Sequence, residues 1–143
     1  MNPRSKARQF AVQALYQWIL TGHEAAQIDT QFVAEHDMEK TDVHYFQEVL
    51  HKVIDHKPSL TDLMRDYLSR AFDSVDPVEQ AILLLACYEL QYRSDIPYKV
   101  IINEAIELGK TFGAEDGHKF INGILDRVAG NIRADEVTAR KKN

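Results

Sequence analysis

The spacing of apolar residues along the chain follows the period of an α-helix. From roughly residue 5 to residue 20, apolar side chains recur at intervals of three and four, and Gly22 follows as a stop signal. The chain has only 6 glycines and 4 prolines, and most of them lie between the periodic segments. This pattern predicts about seven helices and no strand, so the predicted fold class is all-α.

Capping signals mark where the later helices begin. The predicted cap or first residues of helices three to seven are Asp42, Ser59, Asp76, Pro97 and Asp116. Pro58 is expected to end the third helix, because a proline disfavours helical backbone in the residue before it. The fifth helix contains the unbroken apolar run Ala81–Tyr88, so we expect it to be central, with neighbours on every side.

The domain organisation is simple. No repeat or low-complexity linker divides the chain, and residues 1–133 are predicted to form one helical domain. Residues 134–143 have almost no large apolar side chain and include Arg140, Lys141 and Lys142. We expect this segment to be a flexible basic tail.

Length and cysteine content exclude several classes of protein. The chain has 143 residues, and its longest apolar run falls far short of the ~20 residues of a membrane span. The first residues lack the apolar segment of a secretion signal, so the expected location is the cytoplasm. The single cysteine, Cys87, allows neither a disulfide framework nor a multi-thiolate metal site, and it is expected in the core.

The net charge of −5 argues against a nucleic-acid partner, but the charges are not evenly distributed. Residues 1–23 contain three bases and no acid, residues 24–79 contain 13 acids and 5 bases, and residues 80–143 contain 9 of each. The sequence therefore predicts a basic start and an acidic middle that could have different partners.

No pattern of residues predicts catalysis, and we expect no cofactor, no metal and no catalytic residue. His44, Glu48, His51 and Asp55 share one helical face with a spacing found in metal-binding bundles. This row lies opposite the apolar face of the same helix, so it is predicted to be solvated surface. No glycine loop for phosphate and no activated nucleophile motif is present.

The first helix has the side chains expected of a site for single-stranded RNA. Its exposed side is predicted to carry Gln9, Gln13, Tyr16 and Gln17, and its start carries Arg4, Lys6 and Arg8. Cations bind phosphates, amides can read base edges, and an exposed ring can stack on a base. The same features also occur on ordinary helix surfaces, so the residues alone leave both interpretations open.

A loop between the last two predicted helices could extend this surface. The segment Phe112–Phe120 carries two aromatic rings and Lys119. Its simplest interpretation is a corner between helices, with Asp116 as a cap and both rings in the core. Gly123 lies inside the following helix at a cost of roughly 1 kcal/mol relative to alanine, which suggests a close backbone approach or a partner there.

Three segments of the chain resemble the NusB family of bacterial transcription antitermination factors. They are ARQFAVQALYQW (7–18), IPYKVIINEAIEL (96–108) and KFINGILD (119–126). The segments YLSR (67–70) and EL (89–90) also fit, and the similarity runs in order from about residue 4 to residue 133 without a large gap.

The resemblance implies a non-catalytic all-α domain of two packed helical subdomains. It implies binding to boxA RNA of ribosomal RNA leader transcripts as a heterodimer with ribosomal protein S-ten (NusE), within an RNA polymerase antitermination complex. The RNA-binding residues it implies are Arg4, Lys6, Arg8, Tyr16, Phe112, Asp116, Lys119, Phe120 and Asn122. The partner-facing residues it implies are Tyr67, Arg70 and Glu79. The free protein could be a monomer or a homodimer that covers its RNA face.

The sequence departs from the family pattern near its start. Ser5 and Lys6 separate the arginines, Gln9 stands where an acid is usual, and Gly117 replaces a small hydroxyl residue. We therefore expect weaker intrinsic RNA affinity than in relatives with more arginines. Two alternatives are a NusB-like module that works with a separate RNA methyltransferase, and a metal-binding bundle that uses the histidine row.

Overall fold

Helices form almost the entire chain in the computed structural model. The structure describes residues 1–142, with the side chain of Lys142 excepted, and Asn143 of the predicted tail lies outside the described residues. The helices are α1 (Pro3–Thr21), α2 (Ala25–Glu35), α3 (Val43–Asp55), α4 (Lys57–Met64), α5 (Pro77–Tyr92), α6 (Tyr98–Phe112), α7 (Gly117–Ile132) and α8 (Ala134–Lys142). The all-α prediction is confirmed, with one helix more than expected among these residues.

Several predicted helix ends are confirmed in atomic detail. The Asp42 carboxylate accepts a hydrogen bond from the backbone N–H of Tyr45 at 3.0 Å, which caps α3. Asp76 caps α5 by accepting from the N–H of Val78 at 2.9 Å. At the end of α1, Gly22 adopts a left-handed backbone with φ of 71°, a conformation that glycine accepts without strain.

The prediction for the start of α4 is wrong. Pro58 lies in the first turn of α4 and does not separate two helices. A proline there costs little, because first-turn N–H groups have no partner within the helix. Ser59, the predicted cap, donates its hydroxyl to the carbonyl of His56 at 3.0 Å. After α4, two short 3-10 helices at Arg65–Tyr67 and Phe72–Ser74 lead to α5.

Helix α5 is the centre of the fold, as its apolar run predicted. Every residue from 80 to 90 is buried. Helices α1, α3 and α4 pack against it, as do α6 and α7, while α2 packs on α1 and α3. Cys87 is fully buried, and burial raises the pKa of its thiol to about 12, so the thiol is unreactive at neutral pH. Among the described residues, no helix has the length and apolar content needed to cross a bilayer.

The prediction of a flexible tail is wrong for the described residues from 134 onward, because they form α8. The Glu136 carboxylate accepts a hydrogen bond from the N–H of Tyr98 at 2.8 Å and pairs with Arg133 at 2.6 Å. Val137 packs half-buried against the core. These contacts are mainly polar, so a search for apolar residues could not find them.

Arg133 closes the carboxyl end of α5. Its buried guanidinium donates to the carbonyl of Leu90 at 2.8 Å and to that of Ile96 at 3.1 Å. Carbonyls at a helix end have no partner within the helix, and a guanidinium with five N–H groups can satisfy several of them. A residue from the end of α7 thereby joins α5 to the turn before α6.

Candidate nucleic-acid interface

The start of α1 presents two cations on a well-capped helix. The Asn2 side chain accepts a hydrogen bond from the N–H of Ser5 at 2.7 Å, and Pro3 occupies the first turn. The helix therefore begins at Pro3, directly before Arg4. Arg4 and Lys6 are both half-exposed. Their charges add to the partial positive charge of the helix N-terminus, so this end of the molecule favours anions.

The prediction that Arg8 belongs to the exposed basic surface is wrong. Its side chain is only 3% exposed, and its guanidinium donates to the Glu89 carboxylate at 2.9 Å. A second carboxylate, that of Glu104, lies 3.4 Å away. Burial acts to lower the pKa of Arg8, but its carboxylate neighbours raise it overall, so the guanidinium stays charged within the fold.

The remaining polar side of α1 lies where the helical spacing predicted. Tyr16 is 39% exposed, so one part of its ring faces solvent. Gln13 donates back to the carbonyl of Gln9 at 3.2 Å, and Gln17 donates to the Gln31 side chain at 3.1 Å. Because Gln17 is engaged by α2, the available part of this face is centred on Tyr16.

A groove separates the first turns of α1 from the last turns of α6. Ser5 and Gln9 form one wall, and Glu104, Glu107 and Thr111 form the other. The last lining residue on the α6 side, Thr111, directly precedes Phe112, where α6 ends. The sequence did not identify the two acids, whose charges disfavour phosphate in the groove itself.

The corner between α6 and α7 exposes one ring and one cation. Phe112 packs half-buried against the core, whereas Phe120, expected in the core, is 38% exposed. Lys119 is 72% exposed and lies 3.1 Å from the Asp116 carboxylate. Asn122, one turn into α7, is half-buried.

The geometry at Asp116 differs from the predicted cap. Its backbone is left-handed, with φ of 66°, and its side chain makes no capping hydrogen bond. Its backbone carbonyl accepts from the N–H of Lys119 at 3.0 Å. A left-handed conformation costs a non-glycine residue about 1 kcal/mol or more, so the surrounding loop holds Asp116 in a specific shape.

The predicted partner residues lie beside this corner. A Cβ placed on Gly117 would lie 3.6 Å from the Glu79 carboxylate carbon, so the loop passes directly over the first turn of α5. Burial and the neighbouring Asp76 raise the pKa of Glu79, while Arg70 acts to lower it. Tyr67 is half-buried, with the Arg127 guanidinium of α7 at 5.8 Å from its ring centre.

Two sequence hypotheses about other sites receive no support. In the part of the chain that the structure describes, no group of three or more histidine, cysteine or acidic side chains is placed to hold a metal ion. Glu48 of the histidine row instead accepts from Arg93 at 2.8 Å and from Tyr88 at 3.0 Å. Apart from its chain neighbours and the backbone of its own helix, no atom lies within 4 Å of a Cβ placed on Gly123, so no close approach by another described element explains that glycine.

These features define an all-helical domain with half-exposed cations at the start of α1, exposed aromatic rings at Tyr16 and Phe120, and an acidic stretch over residues 24–79. A profile of the NusB family matches residues 5–130, and the chain belongs to that family. The resemblance found in the sequence is thus confirmed.

Two bacterial relatives support this assignment over nearly the whole chain. The chain is 52% identical over 132 residues to transcription antitermination protein NusB of Shewanella halifaxensis, covering 92% of this chain and 98% of the relative. It is 52% identical over 133 residues to the protein of that name from Citrobacter koseri, covering 93% and 96%.

Solved structures share the fold. T. maritima NusB superposes with a TM-score of 0.80 at 30% identity, covering 92% of this chain and 94% of that one. A chain from a crystal structure of antitermination factors NusB and NusE in complex with dsRNA superposes with a TM-score of 0.77 at 22% identity, covering 87% and 93%. At that identity, the second likeness concerns the fold alone.

Proposed function

We propose that this chain is a non-enzymatic, cytoplasmic transcription antitermination factor. It binds boxA-like single-stranded RNA of ribosomal RNA leader transcripts together with ribosomal protein S-ten (NusE). The observation that carries this proposal is the 52% identity, over 132 residues, to a transcription antitermination protein. The exposed side chains supply the chemistry that this function needs.

The proposed RNA face has two parts. Arg4, Lys6 and Tyr16 form the part on α1, and Arg8 is omitted because it is buried. The part on the α6–α7 corner comprises Phe112, Asp116, Lys119, Phe120 and Asn122. Cations neutralise phosphates, exposed rings stack on unpaired bases, and the Asn122 amide can read a base edge.

The proposed partner face comprises Tyr67, Arg70 and Glu79 and lies in the acidic stretch of residues 24–79. An acidic surface steers and holds a basic ribosomal protein. Because Gly117 of the corner lies against Glu79, a partner docked here lies next to the RNA face. RNA that follows the corner then contacts both proteins, so each ligand strengthens the binding of the other by the same factor.

The mechanism is assembly, not chemistry. RNA and S-ten both bind this chain, and the resulting complex joins RNA polymerase as it transcribes. Retention of the nascent RNA beside the polymerase promotes read-through of terminators. The binding steps use the charges, amides and rings of this chain.

Fluorescence anisotropy of labelled boxA RNA, with and without S-ten at two salt concentrations, tests the proposal. A scrambled single strand of equal length and a boxA duplex are the controls. We expect weak, salt-sensitive binding by this chain alone, tighter binding with S-ten, and preference for the boxA single strand. Equal affinity for the scrambled strand, or no RNA binding with S-ten present, would contradict the proposal.

A further inference from the structure

Three guanidinium groups surround the ring of one buried tyrosine. The Cζ atoms of Arg4, Arg93 and Arg8 lie 4.3, 5.1 and 5.6 Å from the ring centre of Tyr45. Tyr45 is only 2% exposed. A guanidinium within about 6 Å of an aromatic face is attracted to the ring, and desolvation strengthens this attraction. The nearest of the three belongs to Arg4, a cation of the proposed RNA face.

The hydroxyl of Tyr45 fixes the position of the ring. Its hydroxyl donates a hydrogen bond to the buried Glu89 carboxylate, which also accepts from Arg8. Burial and the Glu89 charge raise the pKa of Tyr45, so the hydroxyl keeps its proton and remains a donor. A buried ring with a fixed hydroxyl has little freedom to rotate or tilt.

Arg4 differs from the other two arginines in its partners. Arg8 is paired with Glu89, and Arg93 is paired with Glu48 and Asp95 at 2.8 and 3.0 Å. Within residues 1–142, Arg4 makes no ion pair within 4.0 Å and is half-exposed. Its guanidinium is therefore the one in this group whose N–H donors are available to a ligand.

The backbone around Arg4 is also fixed to α3. The N–H of Asp42 donates to the carbonyl of Pro3 at 3.0 Å, and Ser5 donates its hydroxyl to Glu104 of α6 at 2.5 Å. The first turn of α1 thus has a defined position relative to Tyr45, which lies three residues beyond Asp42. Only the long Arg4 side chain is left to be ordered.

We propose that Tyr45 is a positioning residue for RNA binding: its ring holds the Arg4 guanidinium in place to bind a phosphate of the single strand. Tyr45 itself does not touch RNA. An ordered guanidinium loses less side-chain entropy on binding than a free one. This inference rests on the proposed RNA-binding function.

A double-mutant cycle between Arg4 and Tyr45 tests the proposal, with boxA RNA and S-ten as ligands. Arg4→Gln removes one phosphate contact, so the slope of log affinity against log salt should become shallower by about 0.7. Tyr45→Leu, which keeps Arg4, should weaken binding about three- to tenfold and reduce the slope similarly. The double variant should bind no more weakly than Arg4→Gln alone.

Two controls separate positioning from folding. Tyr45→Phe keeps the ring and should bind RNA within about twofold of the wild type, although losing the donor to Glu89 lowers its thermal midpoint. Lys52→Gln removes an exposed cation of α3 and should leave the salt slope unchanged. If Tyr45→Leu fails to fold, Tyr45→Met takes its place.

A measurement on the unmodified protein is independent of RNA and of any variant. In the proton NMR spectrum, the Arg4 side-chain signals should be displaced by the ring current of Tyr45. Random-coil shifts for Arg4 would overturn the proposal. Additive losses in the double variant would also overturn it, even if RNA binding holds. Absence of RNA binding in the wild type would instead contradict the proposed function and leave the NMR result to decide the placement of Arg4.

Discussion

The Arg8 guanidinium and the Glu89 carboxylate form a buried ion pair, with Nη2 and Oε2 2.9 Å apart, between residues 81 positions apart in sequence. It joins α1 to the central helix α5. The same pair removes Arg8 from the basic surface, so the charge count of the first 23 residues overstates the cations available to RNA.

Removal of one member of this pair should strongly destabilise the fold. Arg8→Met leaves Glu89 buried with its charge uncompensated, and we expect a loss of roughly 3–5 kcal/mol in the free energy of unfolding. Urea denaturation followed by circular dichroism measures it. Lys6→Met, a change at a half-exposed cation two residues earlier, should alter stability by less than about 0.5 kcal/mol. Equal losses in the two variants would refute the structural role of Arg8.

Tyr16 tests the α1 part of the proposed RNA face. Tyr16→Ala should weaken RNA binding by about 1–3 kcal/mol, because a stacked base loses its ring partner. Tyr16→Phe keeps the stacking surface and should bind nearly as well as the wild type. Anisotropy titrations with S-ten present give the affinities. If a correctly folded Tyr16→Ala protein binds RNA normally, Tyr16 lies outside the site.

The salt dependence of RNA binding counts the phosphates that the chain neutralises. With Arg4, Lys6 and Lys119 as the contributing cations, the slope for a single strand should be about −2, and affinity should fall roughly twentyfold between 50 and 200 mM salt. Lys119→Gln should make the slope shallower by about 0.7. An unchanged slope in that variant would place the α6–α7 corner away from the RNA backbone.

Glu79 should make partner binding sensitive to mild acid. Burial and the charge of Asp76 raise its pKa, although Arg70 opposes this, so it protonates above the usual value of about 4.3 as pH falls. Binding of the basic S-ten should weaken over that range, and Glu79→Gln should flatten this part of the pH profile. Calorimetric titration with S-ten at several pH values measures the affinity of the wild type and of the Glu79→Gln variant. Identical profiles would exclude Glu79 from the partner face.

The raised pKa of Glu79 also affects the stability of the free protein. The pH dependence it causes is opposite to that of a salt-bridged carboxylate, whose pKa is lowered. A raised pKa in the folded state means that protonated Glu79 favours folding. This contribution is fully present below the unfolded pKa of about 4.3 and is lost as pH rises through the folded value. Above the folded pKa, ionised Glu79 lowers the stability of the free protein. Binding of the basic partner offsets this loss of stability.

Two glycines near the RNA face should respond to alanine in opposite ways. A Cβ on Gly113 would lie 2.7 Å from the carbonyl oxygen of Gly109, so Gly113→Ala should destabilise the fold by about 1–3 kcal/mol. Gly123 has open space around it, and Gly123→Ala should stabilise the free protein by roughly 1 kcal/mol. Urea denaturation of both variants checks the pair. Destabilisation by Gly123→Ala would indicate a contact that this structure does not contain.

Local signals in the sequence predicted those parts of the fold that depend on neighbouring residues. Asp42, Asp76 and Gly22 act within four residues of their own positions, and each was identified correctly. The burial of α5 followed from a run with no polar face. Pro58 was misinterpreted because a proline can end one helix or lie in the first turn of the next, and here a single residue separates the two helices.

The errors at the site come from contacts between distant residues. Arg8 is buried because Glu89 lies opposite it, and α8 forms where Glu136 meets the N–H of Tyr98. The residues within one helical turn of Arg8 or Glu136 do not indicate these partners. The exposed position of Phe120 likewise depends on how α7 leaves the corner, which helical spacing alone did not determine.

The position of Arg133 also affects how the chain folds during synthesis. The carbonyls of Leu90 and Ile96 receive their buried donors from a residue made about 40 positions later. Until Arg133 has emerged from the ribosome, the carbonyls of Leu90 and Ile96 lack this hydrogen-bond donor. The carboxyl end of the central helix can therefore reach its final hydrogen bonding only after Arg133 has emerged from the ribosome, which is well after the helix itself has emerged.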